Sequence, residues 1–341
     1  MNWPQRISPI GVELTPGRIR AAQLRRTSSG WQLLDRFELS RPTEGPVCSA
    51  DDALRLASTL RRRRFVGSDV VLSLPNRELI RGLLEVTHEK GGDPLRAAAK
   101  DVERTHRLEP GNYELAAWLP PASGNRRQTA VCVSGVAHAV SLPLLEAFDA
   151  AGLYVAAIDS RACALTRAID TETRDGRHLT AVLDIEHPAG ELMLLHQGSV
   201  VYQRPLIDAG LDQALRRLQE FGLEPDAAAL ALREYGMSDL ETPVGKKVRD
   251  TLSHFVSGLI QEARPAIDYA ARVYSDLPIR RFALVGEAAA VPLLGFEICQ
   301  QLRLDAATTQ PNQIVNVDPA PAYAVALGLT LHPEEATWAA A

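Results

Sequence analysis

Two acidic residues, Glu13 and Asp184, stand at corresponding places in two similar stretches of the sequence, 171 residues apart. Each is the second-last residue of an apolar run, Ile10–Leu14 in one case and Leu179–Ile185 in the other. A carboxylate at the exit of a buried strand faces a turn rather than the core. There it can hold magnesium through water beside a phosphate, or it can simply cap the turn. The spacing alone leaves both interpretations open.

Each of these carboxylates belongs to a predicted meander of three strands. β-Branched and aliphatic runs bounded by glycine and proline are typical of strands joined by tight turns. The predicted strands are Ile10–Leu14, Ile19–Arg25 and Trp31–Leu39 in the first meander, and Leu179–Ile185, Glu191–His196 and Ser199–Ile207 in the second. The repeat is too long in period for a solenoid. It indicates a duplicated α/β architecture.

Length and composition narrow the class of protein. A chain of 341 residues exceeds the size at which one core keeps growing, so two domains are expected. The net charge of −5 gives no electrostatic case for binding nucleic acid. The four cysteines are far apart and form no metal-type pair. The longest apolar run, Ala288–Phe296, is about half of the ~20 residues that a membrane span needs.

The segment Asn76–Ala137 is predicted to be an insert with βαββ order, located beside the first half. Ser141 after it is predicted to cap the next helix. The predicted division is a first half at 1–75 and 138–177, the insert at 76–137, a second half at 178–210 and 244–332, a small helical subdomain at 211–243 and a tail at 333–341. An exposed strand edge of such an insert can accept an added strand from a partner.

Six strings in order carry a resemblance to a known family. They are IGVELTPGRIRAAQL, AGLYVAAIDSRACALTRAI, LDIEHPAGELMLLHQGSVVYQRPL, GLIQEARPAIDYA, FALVGEAAAVPLL and PAYAVALGLTL. The chain resembles the actin-like ATPase superfamily, and within it the PilM-like type IV pilus assembly proteins, which are relatives of FtsA. The resemblance implies an actin-like (RNase H-like) fold, with duplicated domains around a cleft and the insert in the first half.

The resemblance also implies a candidate or vestigial nucleotide cleft for ATP with magnesium. Its residues would be Glu13, Arg20, Asp184, Gly190, Gly210, Glu262, Arg264 and Gly286. No catalytic residue and no metal ligand of another kind is predicted.

Three turns depart from the family pattern in ways that weaken a phosphate site. Glu13 replaces the usual aspartate, Glu186-His187-Pro188 replaces a small hydroxyl-rich turn, and Glu287 replaces a second glycine. Pro188 donates no N–H. Two unit charges ~4 Å apart repel by ~4 kcal/mol at an effective dielectric constant of 20, so Glu186 would oppose a phosphate unless a cation intervened. These departures predict weak or lost ATP binding.

The resemblance therefore predicts a cytoplasmic scaffold of a type IV pilus or related secretion machine. Its partner would be the cytoplasmic N-terminal segment of a bitopic inner-membrane (PilN-like) protein, through which it would lie peripheral to the inner membrane. Self-association remains open. The alternative is an active actin-like ATPase or small-molecule kinase that uses Asp184 and Glu13 with magnesium.

Overall fold

The structure is a computed structural model that describes residues 7–42, 47–87, 92–121, 129–169, 176–186, 189–304, 307–308, 314–315 and 321–333. The strands are β1 (Ile10–Thr15), β2 (Arg18–Thr27), β3 (Gly30–Ser40), β4 (Asp69–Ser73), β5 (Ile80–Val86), β6 (Tyr113–Trp118), β7 (Thr129–Ala137), β8 (Tyr154–Asp159), β9 (Leu179–Ile185), β10 (Gly190–His196), β11 (Ser199–Leu206), β12 (Ile279–Gly286), β13 (Ala307–Thr308) and β14 (Ile314–Val315). The helices are α1 (Ala50–Arg62), α2 (Pro94–His106), α3 (His138–Ala150), α4 (Arg161–Ile169), α5 (Asp212–Glu220), α6 (Pro225–Tyr235), α7 (Pro243–Val273), α8 (Leu294–Gln301) and α9 (Ala324–Thr330).

Two of the three sheets that the described residues form repeat one strand order. The first sheet has the order β14-β3-β2-β1-β4-β8, and the second has the order β11-β10-β9-β12-β13. In each, an antiparallel meander is continued by a parallel strand, β4 beside β1 and β12 beside β9. Both predicted meanders are present, and the predicted duplicated α/β fold is confirmed. We call the parts built around these two sheets the first half and the second half.

Helices α4 and α9 cross between the two sheets. Their apolar side chains share one core with residues of both halves, such as Val71 on β4 and Val182 on β9. The crossing is close because Gly328 lies against Ala164: a Cβ on Gly328 would be 1.9 Å from the Ala164 carbonyl oxygen. A backbone approach of this kind requires glycine. The pair thus fixes where α4 lies relative to the core.

The insert forms the third sheet, of order β5-β7-β6, with α2 packed on it. It also contacts the second half. The buried carboxylate of Glu191 on β10 forms an ion pair with Arg81 on β5 and accepts a hydrogen bond from Asn76 Nδ2 at 2.9 Å. The insert is therefore tied by polar contacts to the half that does not contain it in sequence.

One local prediction is wrong. Ser141 does not cap α3, because β7 runs directly into that helix, which begins at His138 with Ala137 as its N-cap. Ser141 lies one turn inside, and its hydroxyl donates to the Ala137 carbonyl at 3.5 Å. Among the helices that the structure describes, none combines the length and the hydropathy required of a membrane span.

Candidate functional site

Arg161 lies between the two carboxylates that the sequence singles out. It is the first residue of α4, and it enters the space between the ends of β1 and β9, where Glu13 and Asp184 face each other. Its side chain is 4% exposed, and those of Glu13 and Asp184 are 1% and 3% exposed. A guanidinium from the protein itself therefore occupies the space between the predicted pair of acidic residues.

The guanidinium of Arg161 makes ion pairs with both halves. Its Nε and Nη2 donate to Asp184 Oδ2 at 3.0 and 2.6 Å, and Nη2 is 3.2 Å from Glu186 Oε1. Its Nη1 donates to Glu13 Oε1. Arginine presents several donors in a rigid planar fork, which allows one residue to bind three carboxylates.

Arg20 forms a second buried centre beside the first. It lies on β2 directly opposite Glu13 in the antiparallel register, and its side chain is 1% exposed. Its Nε donates to Glu38 Oε2 at 2.8 Å, while Nη1 and Nη2 reach Glu186 and Glu287 at 3.1 and 3.2 Å. Like Arg161, this side chain joins the first half to the second.

Arg18 completes the group by pairing with Glu38 and, at 2.7 Å, with Glu287. We call these side chains the cleft cluster: Arg18, Arg20, Arg161, Glu13, Glu38, Asp184, Glu186 and Glu287. Five carboxyl groups thus surround three guanidinium groups. The cluster carries two more negative than positive charges when every member is ionised.

Burial changes the acidity of this cluster. Loss of solvation raises the pKa of the Asp184 carboxyl, and the adjacent Arg161 opposes that rise only in part. The pKa of Glu186 is raised for the same reason, against the attraction of Arg20 and Arg161. Burial by itself lowers the pKa of Arg161, but the carboxylates of Asp184 and Glu13 outweigh it and raise the pKa overall. The guanidinium of Arg161 therefore stays charged.

The hydrogen bonding of two carboxyl oxygens in the cleft cluster is incomplete. Glu13 Oε2 and Asp184 Oδ1 are buried and have no hydrogen-bond partner among the residues that the structure describes. Arg20 Nη1 lies 3.6 Å from Glu13 Oε2, close enough for an ion pair but too far for a hydrogen bond. The raised pKa of Asp184 is consistent with this shortage of donors, since a protonated carboxyl needs fewer of them.

The turn after β12 packs directly against the cleft cluster. Gly286 has φ of +76°, and a Cβ there would be 2.6 Å from the Ile185 carbonyl oxygen and 2.8 Å from Asp184 Oδ1. Glu287 follows, with its side chain 5% exposed and bound by Arg18 and Arg20. The glycine therefore allows the chain itself to approach the cluster.

The remaining predicted residues make contacts of other kinds. Gly190 begins β10 and pairs with Ile185, and the Gly210 carbonyl accepts from Gln213 N at the start of α5. On α7, Glu262 accepts a hydrogen bond from the backbone N–H of Ile207 at 2.7 Å. Arg264 donates to the carbonyls of Gln301 and Leu302 at the end of α8.

The structure thus brings Glu13, Arg20, Asp184 and Gly286 together, whereas Glu262 and Arg264 bind backbone groups elsewhere. His187 and Pro188, in one of the turns that differ from the family pattern, lie outside the described residues.

In this arrangement the residues present do not fit magnesium with a nucleotide. The two carboxylates best placed for a hydrated cation, Glu13 and Asp184, already bind the guanidinium of Arg161. The glycine turn that would face the nucleotide is filled by Asp184 and Glu186. A metal-bound phosphate would need Arg161 to leave both carboxylates.

The sequence prediction missed the roles of Arg161, Arg18 and Glu38. Arg161 is preceded by Asp159-Ser160 and opens an alanine-rich helix, five of whose first six residues are buried. A charged residue that opens a buried apolar helix is a signal in the sequence, because buried charges are normally paired.

A groove of about 590 Å³ lies on the other side of α4. Its walls are β8, the terminal strand of the first sheet, and β6, the terminal strand of the insert. Within the described residues, one edge of each strand lacks a paired strand. The lining is mostly apolar and includes Leu115, Val136, Leu145 and Val155. Asp159 and Arg167 are charged residues of the same lining.

The strand orders and the crossing of α4 with α9 define an actin-like fold, and comparison with solved structures agrees. Ethanolamine utilization protein EutJ from Carboxydothermus hydrogenoformans is 12% identical, with 97% of this chain and 91% of that chain covered and a TM-score of 0.54. MreB5 of Spiroplasma citri bound to ADP is 12% identical, with 94% of each chain covered and a TM-score of 0.50. The chain therefore has the fold of the actin-like ATPase superfamily.

A stronger likeness is to a chain of the PilM–PilN type IV pilus biogenesis complex, with 20% identity and a TM-score of 0.72. It covers 95% of this chain and 98% of that chain. The PilM-like character predicted from the sequence is confirmed at the level of the fold. No protein-family model and no curated protein sequence matches this chain.

Proposed function

We propose that this protein is a cytoplasmic scaffold of a type IV pilus or related secretion machine whose cleft no longer works as a nucleotide site. Its partner is the cytoplasmic N-terminal segment of a bitopic inner-membrane protein of the PilN kind. The observation that carries the proposal is the buried Arg161, bound to both Glu13 and Asp184. The likeness to a chain of the PilM–PilN complex supports the choice of partner.

The position of Arg161 supports a scaffold over an ATPase. Binding of a magnesium–nucleotide would have to remove this guanidinium from three carboxylates, in a place where removal of one partner of a buried ion pair typically costs about 3–5 kcal/mol. The alternative of an ATPase or kinase using Asp184 and Glu13 requires that displacement in every cycle, and no observation on the described residues favours it.

The groove between β6 and β8 supports binding of an extended segment. Both walls are terminal strands, and an unpaired strand edge accepts an added strand through backbone hydrogen bonds. Apolar lining residues that keep part of their surface free, such as Ala116, Leu145 and Ala156, offer contact to alternate side chains of that segment. The two insert strands that line the groove also agree with the expectation that the insert helps to bind the partner.

A calorimetric titration tests this proposal. The titrant is a synthetic peptide of the N-terminal cytoplasmic segment of a PilN-like bitopic protein from the same organism. Ala116→Trp fills the groove from β6, whereas Ala227→Trp adds the same side chain at an exposed site on α6 that does not line the groove. We expect saturable binding to the native protein, at least tenfold weaker binding to the first variant, and unchanged binding to the second. Equal affinity of all three proteins would refute the proposed groove.

A further inference from the structure

We infer that the cleft cluster takes the place of a bound ligand: Arg161 ties the two halves together permanently and thereby sets the width of the groove. The inference rests on the proposed function for the meaning of the groove, but the coupling itself concerns contacts within this chain. It assigns Arg161 a positioning role toward a site that its side chain does not line.

Helix α4 reaches the cluster and the groove at the same time. Its first residue, Arg161, is buried among Glu13, Asp184 and Glu186, while Cys163 and Arg167 of the same helix line the groove. Only nine residues make up this helix. A displacement of its beginning in the cluster therefore moves the groove wall as well.

Polar contacts make α4 and the end of β8 one unit. Asp159 accepts hydrogen bonds from the backbone N–H of Ser160 at 2.7 Å and from Arg167, which lies two turns further along the helix. Arg167 also donates through Nε to the Gly328 carbonyl at 3.0 Å, which fixes the helix to α9. The groove residues Asp159 and Arg167 are thus bound to each other and to the crossing helix.

The opposite wall of the groove is connected to the other half. The wall strand β6 is connected to Arg81 through the insert sheet, in which β6 pairs with β7 and β7 pairs with β5. Arg81 lies on β5 and pairs with Glu191 of the second half. Glu191 also accepts from Gln203 on β11 at 2.9 Å, and its side chain is 3% exposed. One wall therefore follows the first half and the other is tied to the second.

In this arrangement the width of the groove depends on how far apart the two halves lie. If the halves moved apart, an insert that follows Glu191 would shift β6 relative to β8. Arg81 and Asn76 favour that movement, because both bind the buried carboxylate of Glu191. The cluster opposes that movement, because ion pairs of Arg161, Arg20 and Arg18 cross from the first half to the second. A tie made of the protein's own side chains is always present, so the groove stays in its binding shape without any nucleotide.

Hydrogen–deuterium exchange on the full chain tests the coupling, with Arg161→Met as the variant. The substitution removes the charge and keeps most of the apolar stem. Arg264→Met is the control, because Arg264 is half-buried and its hydrogen bonds in the described part of the chain go to Gln301 and Leu302, within the second half. We expect exchange to rise at least tenfold in the groove strands β6 and β8 of the Arg161 variant. The control should change exchange only around α7 and α8.

The same proteins are titrated with the partner peptide used above. Arg161→Met should bind it at least tenfold more weakly than the native protein does. Arg264→Met should bind it with the native affinity. Native exchange in β6 and β8 of a folded Arg161→Met protein would overturn the inference. If that variant does not fold, Arg161→Lys retains the charge without the planar fork, and we expect the same changes at about threefold; native behaviour there would equally overturn it. A native protein that binds no peptide refutes the proposed partner, while the exchange comparison still decides the coupling.

Discussion

Arg161 and Asp184 are joined by two hydrogen bonds to a single oxygen: Nε and Nη2 of the arginine lie 3.0 and 2.6 Å from Asp184 Oδ2. The two residues belong to different halves of an actin-like fold. In such a fold the cleft between the halves is where a ligand would connect them. Here an arginine side chain makes that connection.

Replacing Arg161 with methionine should lower the free energy of unfolding by about 3–5 kcal/mol, because it leaves Glu13, Asp184 and Glu186 buried without their main counter-charge. Urea denaturation followed by circular dichroism measures the change. Arg216→Met is the control, since Arg216 forms an exposed ion pair with Asp212 on one helix, and such pairs contribute only about 0.3–0.5 kcal/mol. Equal effects of the two substitutions would contradict the account.

The contribution of the Asp184 carboxyl to stability should decrease as the pH rises. Burial raises the pKa of this carboxyl above its ordinary value of 3.8, so the native state keeps the proton to higher pH than the unfolded chain does. Its contribution to stability is therefore fully present below pH 3.8 and is lost as the pH rises through the raised native pKa. The difference in unfolding free energy between the native protein and Asp184→Asn should fall across that range.

Asp35→Asn provides a control of opposite sign for the pH experiment. Arg63 donates to Asp35 and lowers the pKa of that carboxyl below 3.8. Its contribution is present above pH 3.8 and is lost as the pH falls through the lowered native pKa. A difference for Asp184→Asn that does not change with pH, or that grows as the pH rises, would count against the buried position of this carboxyl.

The crossing of α4 and α9 predicts a large effect of one methyl group. Gly328→Ala should destabilise the protein by about 2 kcal/mol or more, because the new Cβ would lie 1.9 Å from the Ala164 carbonyl and the helices would have to separate. Gly258→Ala on α7 meets no atom within 4 Å and should stabilise the protein by about 0.5–1 kcal/mol. Thermal unfolding of the two variants checks the contrast. A neutral Gly328→Ala would refute the close crossing.

Much of the fold could be predicted because its signals are local. The strands of the second meander follow from aliphatic runs and glycine turns, and they occur at Leu179–Ile185, Gly190–His196 and Ser199–Leu206. The role of Arg161 is different. It depends on carboxylates 148 and 23 residues away along the chain, which only the tertiary structure brings together. Glu262 and Arg264 show the converse, since residues that match a motif in sequence bind backbone groups instead.

Nucleotide titration separates the obstacles in the cleft. The sequence predicts Glu186 and Glu287 to be the obstacles to ATP binding, but the structure adds Arg161. We therefore expect the double variant, Glu186→Gly with Glu287→Gly, to remain without ATP binding. Adding Arg161→Gly should be required for any gain. Thermal shift detects this, because a ligand at its dissociation constant stabilises by ~0.4 kcal/mol and at a thousand times that constant by ~4 kcal/mol. A saturable shift of the native protein at micromolar ATP with magnesium would overturn the scaffold hypothesis and favour the ATPase alternative.

If the protein's own side chains hold the cleft together, partner binding needs no nucleotide. The most direct test is the dissociation constant of the partner peptide, measured by calorimetry on nucleotide-stripped protein with and without ATP and magnesium. The account predicts the same constant within about twofold, whereas allosteric coupling typically changes an affinity by about 5- to 150-fold. An affinity that rises tenfold or more when ATP and magnesium are added would contradict it.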